Sequence, residues 1–162
     1  MGIGPGWSRL GVAALAALAA LAVGTHEGAA QRTADRASVV IERFIGTWDL
    51  VDWRATTPDG AVRFPYGEEP GGQLVYTSAG RMSAHLMRPP EDPSDAPPQH
   101  AAYWGTFSLD VAAETVTHHV IGSSQANWIG SNQVRGFRFE SDDRLVLSLG
   151  SNRLTWVRVP TT

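Results

Sequence analysis

The chain contains no cysteine and no lysine. Without thiols it forms no disulfide, carries no cysteine nucleophile and offers no thioether-linked lipid anchor. Its stability must come from an apolar core and from hydrogen-bond ladders. All 13 basic residues are arginine, and they are scattered: no basic run and no cationic stripe occurs, and the net charge is −3. That pattern excludes nucleic acid as an expected partner. The sequence also lacks an internal repeat, a nucleophile-elbow pattern and a second long apolar run.

One apolar run is present, from Leu10 to Val23, and Arg9 is the only charge before it. Gly28-Ala29-Ala30 comes next, a small-x-small pattern suited to signal peptidase. Basic, apolar and cleavage parts thus stand in the order of a secretory leader. The run is about 14 residues, short of the roughly 20 that span a bilayer, so residues 1–30 are read as a cleavable signal peptide with no stable membrane insertion afterwards. Removing them takes away Arg9 and Glu27 and leaves the net charge unchanged. The 132 residues that remain are enough for one domain, burying roughly two thirds of its unfolded surface. The Arg-only, Ala- and Gly-rich composition hints at a GC-rich bacterial gene, and the expected location is periplasmic or secreted.

Residues 31–43 are assigned to an N-terminal segment with a short helix. Val40, Ile41, Phe44 and Ile45 make an apolar side, which predicts a helix over 38–45 with Ser38 as its cap. After Gly46 the chain is punctuated at strand lengths, approximately 47–55, 61–65, 73–77, 81–88, 103–109, 115–121, 133–140, 144–149 and 153–159. Turn-formers such as Pro58-Asp59-Gly60, Ser78-Ala79-Gly80 and Ser151-Asn152 separate them. Short gaps favour antiparallel neighbours. Residues 44–160 are therefore read as one all-β domain, a sandwich or a single up-and-down barrel of about eight to ten strands, the barrel being preferred because closure removes exposed edges. Two longer segments, "RPPEDPSDAPPQHAA" from Arg88 and "GSSQANWIGSN" from Gly122, read as loops able to cover a barrel mouth. The first is expected to end in a short helix.

A resemblance sharpens this reading. "FIGTWDLVDW", "PYGEEPGGQLVYTSAGRMSAHLMRP", "YWGTFSLD", "VTHHVIGS", "NWIGSNQVRGF" and the terminal "LTWVRV" occur in the order that resembles the bacterial and fungal lipocalin-like domain family, over about residues 44–159. The resemblance implies a calycin-type antiparallel barrel and, in the broad sense, a small apolar ligand. It also implies a structural role for Trp48, packed at the closed end against an arginine of the last strands, Arg158 before Arg153.

Strand parity then assigns faces, because neighbouring side chains point to opposite sides. In 115–121 the more apolar face carries Val116, His118 and Val120, so His118 is expected inside the barrel and His119 outside. In 133–140 the aromatic face carries Phe137 and Phe139, and takes Gln133 and Arg135 inward with it. Tyr103 and Phe107 share an inner face, as do Leu74 and Tyr76, while His85 points away from Met82, Ala84 and Leu86. Asn127 and Trp128 sit in the loop between two of these strands. The candidate ligand-binding set is therefore His118, Arg135, Gln133, Asn127, Trp128, Tyr76 and Tyr103. An arginine inside a small barrel needs a partner; Asp52, on the parity of Trp48 and Leu50, is one candidate, with Glu68 and Glu69 as others.

The expected function is binding of a small, largely apolar molecule, anionic or carbonyl-bearing, inside the barrel. The alternative is isomerase, cyclase or dehydratase chemistry, with His118 as a neutral general base and Arg135 stabilising an enolate-like charge. A partner-binding module with a filled barrel is a third class. No metal site is expected: His118 and His119 face opposite sides, and His85 and His100 show no ligand spacing. No cofactor is expected either.

Overall fold

The computed structural model describes residues 12–90 and 99–161, with side chains described from residue 28 onward except at 91–98. Helix α1 spans Val12–Phe44, 33 residues. The short helix expected over 38–45 is thus the end of a longer one, and Ser38 lies inside it rather than capping it. The reason is local: no proline interrupts 12–44, and the stretch after Gly24 is rich in Ala, Glu, Gln and Arg, which propagate a helix. No helix among the described residues is long and apolar enough to cross a membrane. The chain divides into two compact units, residues 1–39 and Val40–Thr162. The last turn of α1 belongs to the second.

That second unit is a closed antiparallel barrel. Its strands are β1 (Gly46–Thr56), β2 (Val62–Arg63), β3 (Gly71–Tyr76), β4 (Arg81–Met87), β5 (His100–Asp110), β6 (Thr115–Ser123), β7 (Asn132–Ser141), β8 (Arg144–Leu149) and β9 (Asn152–Arg158). From β3 to β9 each pairs with the next, and β1 pairs with both β3 and β9. Eight strands therefore close the ring, and the two-residue β2 is a spur on the far end of β1. Closure leaves neither β1 nor β9 with an open edge along their shared ladder.

The core fills the interior from one end. Trp48, Trp156, Tyr76, Phe44, Leu74, Leu145, His118 and Val116 are essentially without solvent contact. Phe44, the last helical residue, sits edge-on to Tyr76, Phe137 and Phe139 with centroids 5.0–5.2 Å away. Edge-to-face packing of this kind adds about 0.5–1.5 kcal/mol per pair beyond area burial. Beside this aromatic plug, Arg158 lies over the Trp48 ring at 4.1 Å. Its guanidinium donates to the carbonyls of Ile45 at 2.8 Å and Arg43 at 2.6 Å. Gly46 makes room for it: a Cβ there would stand 2.7 Å from Arg158 Nη1, and the φ of +140° suits glycine. The Gly-x-Trp of the sequence is thus one device, a bare backbone beneath an arginine that staples the helix end to the first and last strands.

Bulges interrupt the ladders at Val51 in β1, at Ile121 in β6 opposite Trp104 and Gly105, and at Glu140 in β7. Each adds a residue on one strand and changes the facing of the residues beyond it. The segment from Gly122 folds back through a 3-10 turn at Ala126–Trp128, held by backbone bonds from Val120 to Ser131 and from Gly130 to Val120. Of the segment from Arg88, residues 91–98, with the short helix expected there, lie outside the described residues.

Candidate functional site

The interior is not full. A cavity of about 160 Å³ is walled by Leu74, Ala84, Leu86, Leu147, Leu149 and Leu154, with Trp53, Trp128 and Trp156. Polar atoms reach it from His118, Tyr103, Arg135 and Asn152. It lies on the side of the barrel away from the Phe44 plug, toward the β8–β9 turn and the loop bearing Trp128.

His118 is at its floor. The ring is 1% exposed and carries a tyrosine hydroxyl on each nitrogen: Tyr76 Oη is 2.7 Å from Nε2, and Tyr103 Oη is 2.8 Å from Nδ1. Register explains the arrangement. β6 lies beside β5, which presents Tyr103, and Tyr76 reaches in from β3 across the barrel. Burial pushes the His118 pKa down to about 3, helped by the Arg135 charge and by His119, so the ring is neutral at pH 7. Burial likewise raises Tyr103 to about 12, and raises Tyr76 well above the ordinary phenol value, with the Tyr103 hydroxyl adding to the shift. All three groups are uncharged.

Arg135 is half-buried and lines the cavity. Its guanidinium donates to Gln133 Oε1 at 3.1 Å and to the Val134 carbonyl at 3.0 Å. No carboxylate pairs with it among the described residues. The three acids expected as partners go elsewhere. The β1 bulge reverses parity after Leu50, so Asp52 turns outward and binds Arg54 at 2.9 Å. Glu68 and Glu69 are exposed. The same reversal brings Trp53 inward, where its indole N–H donates to Asn152 Oδ1 at 2.9 Å.

The remaining expected residues divide. Trp128 lines the cavity and packs edge-on to Tyr103, with centroids 5.6 Å apart. Gln133 does not line it; its side chain bridges Ser131 and Arg135 and so holds the guanidinium in place. Tyr76 is sealed beneath the cavity and acts on it through His118. Asn127 is exposed and is not brought to the site, because the 3-10 turn presents Trp128 inward instead. Sequence reading missed Trp53, Asn152 and Trp156. Asn152 reads as part of the Ser151-Asn152 turn but is the first residue of β9, and Trp53 follows a bulge. Trp156 is 2% exposed, and its indole N–H has no acceptor among the described residues.

The second histidine of the pair faces out, as parity predicts. His119 stands between Ser108 Oγ, 2.9 Å from Nε2, and Asn132 Oδ1, 2.8 Å from Nδ1, on the outer wall of β5, β6 and β7. The order of side chains is that of a serine–histidine–amide array, on an open sheet surface. His85 also faces outward.

The model of a family described as lipocalin-like domain matches residues 45–157, well over half of the chain and all of the barrel strands except the last residue of β9. The chain belongs to the lipocalin-like domain family. No curated protein sequence matches this lipocalin-like chain. Among solved structures, a lipocalin-like protein from Bacteroides uniformis is 13% identical, with a TM-score of 0.48, over 72% of this chain and 99% of the other. An uncharacterized protein from Bacteroides eggerthii is 12% identical, with a TM-score of 0.47 and the same coverage.

Proposed function

We propose that this lipocalin-like protein is an exported binder of one small, largely apolar molecule, held inside the barrel. The observation that carries the reading is the unfilled interior. Leucine and tryptophan walls surround about 160 Å³ of space, and a core packed only for stability leaves few voids larger than a water molecule. Binding sites are concave and mostly apolar with a few placed polar groups, and His118, Tyr103, Arg135 and Asn152 are such groups. The leader pattern around Leu10–Val23 and Ala30 supports export.

General-base chemistry at His118 draws no support from this geometry. Both ring nitrogens are occupied by tyrosine hydroxyls, and a ring held neutral down to about pH 3 is a weak base. His118 positions Tyr103.

The test is native mass spectrometry of the protein purified from its own host, with identification of whatever organic molecule is released on denaturation. One stoichiometric ligand per barrel is expected. An empty barrel that also fails to take up any apolar probe sinks the reading. N-terminal sequencing of the same material is expected to begin at Gln31; a chain retaining Arg9 would overturn export by cleavage.

A further inference from the structure

Counting hydrogen-bond capacity around the cavity narrows the ligand. Tyr76 is 1% exposed and its hydroxyl has one partner, Nε2 of His118. Its proton must go there, because a buried hydroxyl proton left without an acceptor costs about 1–3 kcal/mol. A neutral imidazole has one N–H, so Nδ1 carries it and donates to Tyr103 Oη. The Tyr103 proton is then left over, on a residue that lines the cavity.

The same accounting applies to the other polar groups. Asn152 Oδ1 is fixed as the acceptor for the Trp53 indole N–H, so its amide N–H groups remain unspent. Arg135 uses two of its five donors, on Gln133 and Val134. Among the described residues, no aspartate, glutamate, serine or threonine lines the cavity. Tyr103, Asn152 and Arg135 therefore each keep an unspent donor, and the one charge on the wall is positive.

Size sets the other bound. A cavity of about 150 Å³ holds one benzene ring, and drug-sized sites begin at about 300 Å³; this one is about 160 Å³.

We propose that the ligand is a compact monoanion of about one ring, an aromatic or branched apolar carboxylate, whose oxygens accept from Arg135, Tyr103 and Asn152. The proposal rests on the binding reading above and goes beyond it by fixing the charge, the acceptor character and the size of the guest. A carboxylate matches these three donors because it offers acceptors and no protons. It also supplies the negative charge that Arg135 lacks among the described residues.

Calorimetric titration with benzoate, benzyl alcohol, benzylamine, toluene and decanoate tests it, with emission from Trp53, Trp128 and Trp156 as an independent reporter. Benzoate is expected to bind at least ~10-fold tighter than benzyl alcohol, the margin of one charge-assisted hydrogen bond, and benzylamine is not expected to bind. In Arg135→Met that preference should shrink to within about 2-fold while toluene binding persists, since the single cation lining the cavity supplies most of the discrimination. Tyr103→Phe should lower benzoate affinity and leave toluene unaffected, whether or not Arg135→Met folds. Equal affinity for benzoate and toluene would overturn the anion inference and keep the apolar binding site. Tighter binding of decanoate would overturn the size limit. Failure of all five on a folded barrel would remove both this inference and the binding reading.

Discussion

Two tyrosines hold His118, and they do not hold it equally. Tyr76 is enclosed, whereas Tyr103 borders the cavity, where water can replace a lost hydroxyl. Tyr76→Phe strips the only donor from Nε2 and is expected to cost about 1–3 kcal/mol. Tyr103→Phe should cost less. Urea unfolding of the two variants decides the order, and the reverse order would show that the proton sits on the other ring nitrogen. Arg158 is the second residue on which much depends. Its planar fork reaches two carbonyls at once while stacking on Trp48. A lysine supplies a point charge without the fork. Arg158→Lys is therefore expected to lose roughly 1–3 kcal/mol of stability in the same measurement, against about 0.5–2 kcal/mol had only the ring contact been lost.

At the scale of the element, the bulges decide what the strands show. Alternation along β6 was legible from the residues alone: Val116, His118 and Val120 are buried and His119 is not. The inward turn of Arg135 was legible in β7 for the same reason. Alternation failed in β1, where one extra residue after Leu50 sends Asp52 out and Trp53 in. No local sequence signal marks that bulge, which shows only in the register of β1 against β9. Asn127 failed differently: a loop residue has no parity, and only the turn geometry shows that its neighbour Trp128 faces inward. The bulge in β6, opposite Gly105 of β5, makes a sharper prediction. A Cβ on Gly105 would meet the His119 carbonyl oxygen, a backbone atom, at 1.9 Å, whereas on Gly71 it would meet only ordinary contacts at 3.6 Å. Gly105→Ala should destabilise by more than about 3 kcal/mol and Gly71→Ala by less than about 1. Thermal denaturation of the pair checks this, and similar melting temperatures would mean that the bulge relaxes freely.

For the whole molecule, the neutral core makes stability depend on pH in one direction. Unfolded, the His118 ring takes up a proton near its ordinary pKa of 6.5; folded, it refuses one until about pH 3. Its contribution is fully present above pH 6.5 and drains away as the pH falls toward 3, at roughly 1.4 kcal/mol per pH unit. Urea midpoints measured from pH 7 to pH 4 should fall steadily. The fall should be shallower in His118→Gln, which has no such proton to refuse, and parallel slopes would contradict a buried neutral ring. The overall architecture was readable in advance because strand lengths, turn residues and a short-gap rhythm all point to the same closed sheet. The extent of α1 was not, since helix propagation through 12–44 depends on the absence of a stop signal rather than the presence of a start.

Closure also places the beginning and the end of the barrel side by side. Trp48 pairs with Arg158, Val159 donates to the Thr47 carbonyl at 2.8 Å, and Arg158 grips the carbonyls of Arg43 and Ile45. The order in which the strands are strung is therefore separable from the shape they form. A chain rejoined from Thr161 to Val40 through a short flexible linker, and opened instead at the exposed Pro58–Gly60 turn, should fold to the same barrel with the same cavity.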